Sequence, residues 1–189
     1  MHAYSLALYI HLLSLILAIA TASLVTFASL QLRIAESPAE IGRWGSLIHK
    51  VVPAFPISAI GLFATGAYMT QHLWSWSTPW IDAAIAGLVL IVVLGDGIDA
   101  TRGRQLKQEV IANGLSERAR KLARDPLGWS AKVTTLTVTL AVVYVMTLKP
   151  GAAGASAALV VAVLTGSAIA VPLWKPAPED VSPVADAAG

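Results

Sequence analysis

Four side chains that can bind a metal ion lie near the amino-terminal end of the first apolar stretch and the carboxyl-terminal end of the second: His2, His11, Met69 and His72. Imidazole nitrogen and thioether sulfur suit haem iron and copper. Two histidines on facing helices of a bundle can hold a b-type haem. The sequence therefore raises two cofactor hypotheses. In the first, His11 and His72 bind haem b, and in the second, His2, His11, Met69 and His72 bind copper.

A third interpretation gives these histidines a structural role only. His11 lies within an apolar stretch, where an unpaired polar group is costly, so it needs a partner. The hydroxyl of Thr65 or of Tyr68 could supply a hydrogen bond across the bundle. His72 would then lie at the membrane interface without a cofactor. His49 belongs to the opposite side of the membrane and cannot join this group.

A second set of ionisable residues, Asp96, Asp99 and Arg102, follows the third apolar stretch. An ionisable residue inside a membrane is a functional candidate by default. These residues lie near an interface that also carries Arg104 and Lys132, so structural ion pairs are the preferred interpretation. The chain has no Cys, which excludes disulfides, thiolate metal sites and Cys nucleophiles. We find no catalytic arrangement in the sequence, and whether the chain is an enzyme stays open.

The composition predicts the elements that must position these residues. The chain has 189 residues, of which 56% are hydrophobic and 13% charged, against about 25% charged in a typical soluble domain. Five apolar stretches are long enough to cross a bilayer. We therefore predict an all-α, polytopic membrane helix bundle, with a single membrane domain over residues 1–174 and a disordered tail over 175–189. The predicted spans cover residues 4–30, 51–72, 80–98, 129–148 and 155–174.

The basic residues orient this bundle. Eight of the thirteen Lys and Arg residues lie between Arg102 and Lys132, and loops that keep such residues stay on the cytoplasmic side. The loop over 99–128 is therefore predicted to be cytoplasmic, with the N-terminus outside and the C-terminus inside. The Trp-rich stretch over 73–80 then forms an outer interfacial belt. This distribution indicates positive-inside threading and no nucleic-acid partner.

The basic loop has two interpretations. Residues 104–124 could form an amphipathic surface helix, so that the segment 102–125 binds anionic lipid headgroups. They could equally form a solvated linker helix that breaks at Asn113-Gly114. The apolar side chains of the first interpretation are Leu106, Val110, Ile111, Leu115 and Leu122.

Small and polar residues predict where the helices approach one another. They recur at helical spacing in the first two spans, and Thr recurs in the fourth, where it can bond back to helix carbonyls. Ser37-Pro38-Ala39-Glu40 predicts the start of a short surface helix, and Asp125-Pro126-Leu127 the start of the fourth span. The two predicted seams are Ala7, His11, Ser14, Ala18, Ala22 and Ser29 in the first span and Ser58, Gly61, Thr65, Tyr68 and His72 in the second.

Several motifs resemble a family of bacterial integral membrane proteins of unknown function. They are Leu8-Tyr9-Ile10-His11-Leu12-Leu13, Thr65-Gly66-Ala67-Tyr68-Met69 followed by Trp74-Ser75-Trp76, Arg124-Asp125-Pro126-Leu127, and Tyr144-Val145-Met146-Thr147-Leu148-Lys149-Pro150. The resemblance extends to about residue 174. It implies a multi-pass protein of the bacterial inner membrane and no particular activity.

More distantly, four spans with an early His resemble the copper-resistance D-type membrane proteins and the J-type protoporphyrinogen oxidases. The latter family pairs its first-span His with a Lys in the third span. Here the third span has no Lys between Trp80 and Ile98, which counts against that activity. Three function classes follow in order of preference: an accessory or structural subunit of a membrane assembly, a b-type haem protein for electron transfer, and a copper transport or homeostasis protein.

Overall fold

The computed structural model describes residues 2–114 and 116–174, and this part of the chain is all-α, as predicted. Leu115 and the predicted disordered tail over 175–189 lie outside the described residues. The helices are α1 (His2–Ile34), α2 (Pro38–Val51), α3 (Ala54–Leu73), α4 (Pro79–Val92), α5 (Ala100–Asn113), α6 (Glu117–Ala123), α7 (Pro126–Leu148) and α8 (Ala152–Ala170). A π-helical segment (Val93–Asp99) joins α4 to α5, and a 3₁₀ turn (Val171–Trp174) follows α8.

Within residues 2–114 and 116–174, five helical stretches are long and apolar enough to cross a membrane. Their outward surface is apolar too: Ile57, Ile60 and Phe63 of α3 are each more than 60% exposed. A soluble protein rarely exposes so large a contiguous apolar surface, whereas lipid solvates it readily. The chain is therefore a multi-pass membrane protein. The five stretches are His2–Ile34, Ala39–Leu73, Pro79–Asn113, Glu117–Leu148 and Ala152–Trp174.

Two helix starts follow the local sequence signals. The Ser37 side chain accepts a hydrogen bond from the Glu40 backbone N–H at 3.3 Å, and α2 begins at Pro38. The Asp125 carboxylate accepts from the Gly128 N–H at 2.8 Å, and α7 begins at Pro126. Each cap satisfies a backbone donor that the first helical turn leaves unpaired.

The first three helices form one packed group. α1 and α3 are antiparallel, and their predicted small-residue seams meet where His11 lies beside Thr65 and Ser14 beside Gly61. A Cβ atom at Gly61 would overlap Ser14 Oγ, so the Ser14 side chain would have to move for any larger residue at this position. α2 folds back onto α1, and the rings of Trp44 and Phe27 meet edge to face at 5.6 Å.

The second group contains α4, α7 and α8. Thr137 Oγ1 of α7 donates a hydrogen bond to the Ala162 carbonyl of α8 at 2.7 Å. Gly166 allows the two helices to approach, because a Cβ there would collide with the backbone of Thr134. Other threonines of α7 bond to carbonyls of their own helix, as expected. The shared core consists of Ala84, Val138, Ala141, Val142 and Ala162.

The third span differs from a regular α-helix. Near its predicted end, residues Val93–Asp99 form the π-helical segment, which contains Gly95 and Gly97. The chain stays helical from there through Asn113, inside the predicted loop over 99–128, for which both interpretations included a helix. The predicted break at Asn113-Gly114 is confirmed, because α5 ends at Asn113 and Gly114 has a φ of 65°.

Candidate functional site: a cleft between two helix groups

A cleft of about 1610 Å³ separates the two helix groups. α1, α2 and α3 line one side of it, and α4, the π-helical segment and α7 line the other. We call one end, lined by Trp74, Trp76 and Trp80, the tryptophan end. The opposite end is lined by basic residues, and we call it the basic end. The residues that define it are Arg33, Arg102, Arg124 and Lys132.

Between these ends the walls of the cleft are mostly apolar. Every helix that lines the middle of the cleft contributes aliphatic side chains, and a smaller number of polar side chains, among them His11, Thr135 and Thr139, lie between them. Such walls suit a hydrocarbon environment or an apolar surface of a membrane-embedded partner. The aliphatic side chains include Leu12, Leu15, Leu62, Leu88, Ile91 and Leu136.

A cation held between two indole rings joins the helix groups at the tryptophan end. Lys149 Nζ lies 4.3 Å from the ring centroid of Trp74 and 5.7 Å from that of Trp80. The two indoles meet edge to face at 5.2 Å. Lys149 also ends α7 in the left-handed conformation, with a φ of 50°, which usually favours glycine. Lys149 therefore brings its cation to the two indoles from a backbone conformation that disfavours residues other than glycine.

Ion pairs and a second cation–π contact lie at the basic end. The Arg33 guanidinium lies 5.9 Å from the ring centroid of Trp129. This contact joins α1 to α7. Lys132 Nζ of α7 donates to Asp99 Oδ2 of the π-helical segment at 2.5 Å. Both side chains are largely shielded, at 10% and 25% exposure. Removing such charges from water is costly unless they are paired.

The ion-pair candidates from the sequence separate into different environments. Asp99 is paired with Lys132, one of the cations expected near it. Arg102 pairs with Asp125 at 3.5 Å rather than with Asp96 or Asp99. Within residues 2–114 and 116–174, Asp96 has no ion pair, and it lines the basic end of the cleft as an exposed side chain.

His11 lies in the cleft wall with a defined hydrogen bond. Its Nδ1 is 2.9 Å from Thr65 Oγ1, one of the two hydroxyl partners that the sequence suggested. The Thr65 hydroxyl donates its hydrogen to the Gly61 carbonyl at 2.6 Å, so it accepts from His11. The imidazole therefore carries its proton on Nδ1 and presents an unprotonated Nε2.

The other candidate ligands do not gather around His11. His72 Nδ1 donates to the Tyr68 carbonyl at 2.9 Å, and its ring lies 4.1 Å from the Tyr68 ring. His72 follows Thr65 by seven residues, which is about 10 Å along α3. Met69 lines the cleft, whereas His2 is exposed at the start of α1. The described residues contain no group of three His, Cys, Asp or Glu side chains placed to hold a metal ion.

Thr135 is a feature of the cleft that the sequence did not reveal. Its Oγ1 is buried and has no hydrogen-bond partner within residues 2–114 and 116–174. The residue lines the cleft one turn from Lys132. The π-helical segment was not predicted either, although π-helices frequently mark functional sites. The glycines at 95 and 97, close to the end of an apolar span, were the available signal.

The fold and the cleft define a class: a multi-pass α-helical membrane protein with a cleft between two helix groups. Comparison of the chain with known protein families, with curated proteins and with solved structures finds no match. No family is therefore identified for the chain, and the resemblances noted above carry no activity to it.

Proposed function

We propose that this protein is an accessory subunit of a bacterial inner-membrane assembly and that its cleft holds a transmembrane helix of a partner subunit. The observation that carries the proposal is the cleft itself, which extends from the tryptophan end to the basic end. Its walls are apolar, and the buried hydroxyl of Thr135 in one wall lacks a partner. A partner helix would cover the apolar walls and could supply a hydrogen bond to that hydroxyl.

The dimensions of the neighbouring helices support this occupant. α3 has 20 residues, which corresponds to about 30 Å, the thickness of the hydrocarbon core of a bilayer. A cleft between helices of this length can accept a spanning helix along its whole path. Ala67 of α3 lines it and would let a second backbone approach closely.

The proposal includes the threading of the chain, with the N-terminus outside and the C-terminus inside. In this orientation twelve of the thirteen Lys and Arg residues are cytoplasmic, and only Lys149 is outside. A reporter that is active only in the cytoplasm should work when fused after Lys121 and fail when inserted between Trp74 and Trp80. Activity at the Trp-rich loop would contradict this threading.

Two adjacent positions of α4 allow a matched test of the occupant. Leu88 lines the cleft, whereas Val89 is 58% exposed and does not line it. A photo-crosslinking amino acid at position 88 in the native membrane should give one protein adduct of discrete mass. Peptide mapping of that adduct should identify a transmembrane segment of a different protein. The same group at position 89 should give lipid adducts.

The outcomes of this experiment separate the proposal from its rivals. Lipid adducts alone at position 88 would show that the cleft is filled by lipid, and the subunit proposal would fail. An adduct to a second copy of the chain would assign the cleft to self-association. Identical protein adducts at positions 88 and 89 would show that the partner contacts α4 without occupying the cleft.

A second candidate function is b-type haem binding, with His11 as an axial ligand. It is favoured by the tautomer of His11, because Thr65 holds the proton on Nδ1 and leaves the Nε2 lone pair available. Ligating histidines commonly donate their other ring N–H to a partner in this way. Haem would supply one-electron redox chemistry, and the apolar cleft walls would shield its porphyrin from water. His72, the second ligand that the sequence suggested, does not line the cleft, so His11 alone fits this role in the present arrangement.

Absorption spectra of the purified protein, oxidised and dithionite-reduced, test the haem candidate. A sharp reduced band that is lost in His11→Ala but kept in His49→Ala would support it. Loss in His72→Ala as well would assign two histidine ligands. Absence of the band from the wild-type protein would refute it, and metal analysis would then decide whether copper is bound instead.

A further inference from the structure

The wall of the cleft that begins with α4 continues past the π-helical segment into α5 and α6. These two helices form a hairpin, in which Glu109 of α5 accepts a hydrogen bond from Ser116 at 2.8 Å and pairs with Arg118 of α6 at 3.7 Å. We call the side of the hairpin that lines the cleft the hairpin surface. The residues that define it are Arg104, Leu106, Lys107, Val110, Ile111 and Arg120.

The charged side chains of the hairpin surface are all cations. Within residues 2–114 and 116–174, Arg104, Lys107 and Arg120 form no salt bridge. All three residues are exposed. The Arg104 guanidinium donates to Thr101 Oγ1 at 3.0 Å, a neutral partner that leaves the positive charge uncompensated.

The carboxylates of the hairpin do not compensate these cations. Glu109 is paired with Arg118, and Glu117 is paired with Lys121 at 3.0 Å. Neither glutamate lines the cleft. An acidic ligand on the hairpin surface would therefore meet three charges of the opposite sign and no competing carboxylate from α5 or α6.

An apolar side chain is exposed beside these cations. Ile111 is 74% exposed, and it follows Arg104 and Lys107 at helical spacing, so the three residues share one face of α5. The helical stretch Pro79–Asn113 has 35 residues, which corresponds to about 52 Å, against about 40–45 Å for a bilayer with its headgroups. The end of α5 that carries Ile111 is therefore long enough to extend beyond the lipid. There an amphipathic protein helix can cover the apolar and the charged side chains together.

We propose that the partner helix in the cleft continues past its membrane span as an amphipathic helix whose Asp and Glu side chains pair with Arg104, Lys107 and Arg120. This inference rests on the proposed function and adds the chemistry of the partner. An ordinary spanning helix carries Lys and Arg next to its cytoplasmic end. Under the proposed threading, those residues would be repelled by the hairpin surface. The surface therefore selects a partner whose cytoplasmic flank is acidic.

Two adjacent positions of α5 allow a matched test in the native membrane. Ile111 lines the cleft, whereas Ala112 is exposed and does not line it. A photo-crosslinking amino acid at position 111 should give an adduct with the same protein that is captured from position 88. Peptide mapping should place this adduct in a segment that contains Asp and Glu and adjoins the spanning segment mapped from position 88. The same group at position 112 should give little or none of this adduct.

Charge reversal tests the role of the cations. Arg104→Glu combined with Lys107→Glu should lower the yield of the position-111 adduct about fivefold, which is equivalent to about 1 kcal/mol for two exposed ion pairs. Arg43→Glu combined with Lys121→Glu is the control. It changes the net charge by the same amount, and both residues are exposed and line no part of the cleft. The adduct yield of the control should equal that of the wild-type hairpin.

The outcomes distinguish this inference from the proposed function. A partner adduct at position 88 with only lipid adducts at position 111 would overturn the inference and leave the proposed function standing. Absence of a partner adduct at position 88 would overturn the proposed function and this inference with it. Equal losses in the two double variants, or a mapped segment without carboxylates, would refute the acidic pairing alone. An adduct from position 111 to residues 175–189 of the same chain, which include Glu179 and Asp180, would assign the hairpin surface to that segment instead.

Discussion

The two faces of α7 differ in how far the chain itself completes their contacts. One face packs against α8, where Thr137 donates to the Ala162 carbonyl and Gly166 permits close approach. The other face lines the cleft, and there Thr135 has a buried hydroxyl without a partner in the described chain. Both faces belong to one helix and are built from similar residues. The difference is what the proposed partner helix would account for, since it would complete the cleft face of α7.

The largest expected effect on stability is at the ion pair of Asp99 and Lys132, both of which line the cleft. Lys132→Gln should lower the free energy of unfolding by about 3 kcal/mol, because it leaves the largely shielded Asp99 carboxylate without its cation. Equilibrium unfolding in mixed micelles measures this loss.

The control for this ion pair is Lys121→Gln. Lys121 and Glu117 form an exposed pair, with side chains 77% and 83% exposed, and its loss should cost well under about 1 kcal/mol. The double variant with Asp99→Asn and Lys132→Gln should recover part of the stability. Equal losses in Lys121→Gln and Lys132→Gln would contradict the assigned role of the shielded pair.

The next effect tests the packed face of α7. Gly166→Ala should destabilise the protein by about 1–3 kcal/mol, because the new methyl group would collide with the Thr134 backbone and force α7 and α8 apart. Gly95→Ala is the matched change on the cleft side, where no atom lies within 4 Å of the added Cβ. It should have little effect on the unfolding midpoint. Similar unfolding midpoints for Gly166→Ala and Gly95→Ala would contradict the difference between the tightly packed α7–α8 contact and the open side of the cleft.

A smaller effect is expected at the tryptophan end. Lys149→Met should cost about 1 kcal/mol, because it removes the cation between Trp74 and Trp80 while it keeps a long side chain. Thermal unfolding followed by tryptophan fluorescence can detect this loss. Lys149→Arg should keep most of the stability, since a guanidinium also stacks on indole. If Arg and Met at this position gave the same midpoint, the cation would not be the stabilising feature.

Local signals in the sequence predicted much of the fold. Ser37 and Asp125 cap the helices that they were expected to start, because a cap depends on residues a few positions apart. Thr65 was one of two expected partners of His11, because Thr65 and His11 lie on the two predicted small-residue seams. The caps need only a local sequence signal, and the contact of His11 with Thr65 needs only helical periodicity and the pairing of two adjacent spans.

The cleft was not predictable in the same way. Leu88 faces the cleft and Val89 does not, yet both are aliphatic residues of one apolar span. In a bilayer, a residue that faces lipid and one that faces a cleft have the same hydropathy, so composition does not separate them. The contact of Lys149 with two indoles also requires three segments to meet, which no local pattern encodes.

The central claim is that the cleft holds a helix of a partner subunit. Its most direct test places a bulky side chain in the cleft and measures the photo-crosslinking yield from position 88. Ala59 and Ala64 are both exposed on α3, but only Ala59 lines the cleft. With the photo-crosslinker at position 88, Ala59→Trp should abolish the discrete protein adduct, whereas Ala64→Trp should leave its yield unchanged. An adduct of equal yield in both variants would contradict the claim that the cleft holds the partner.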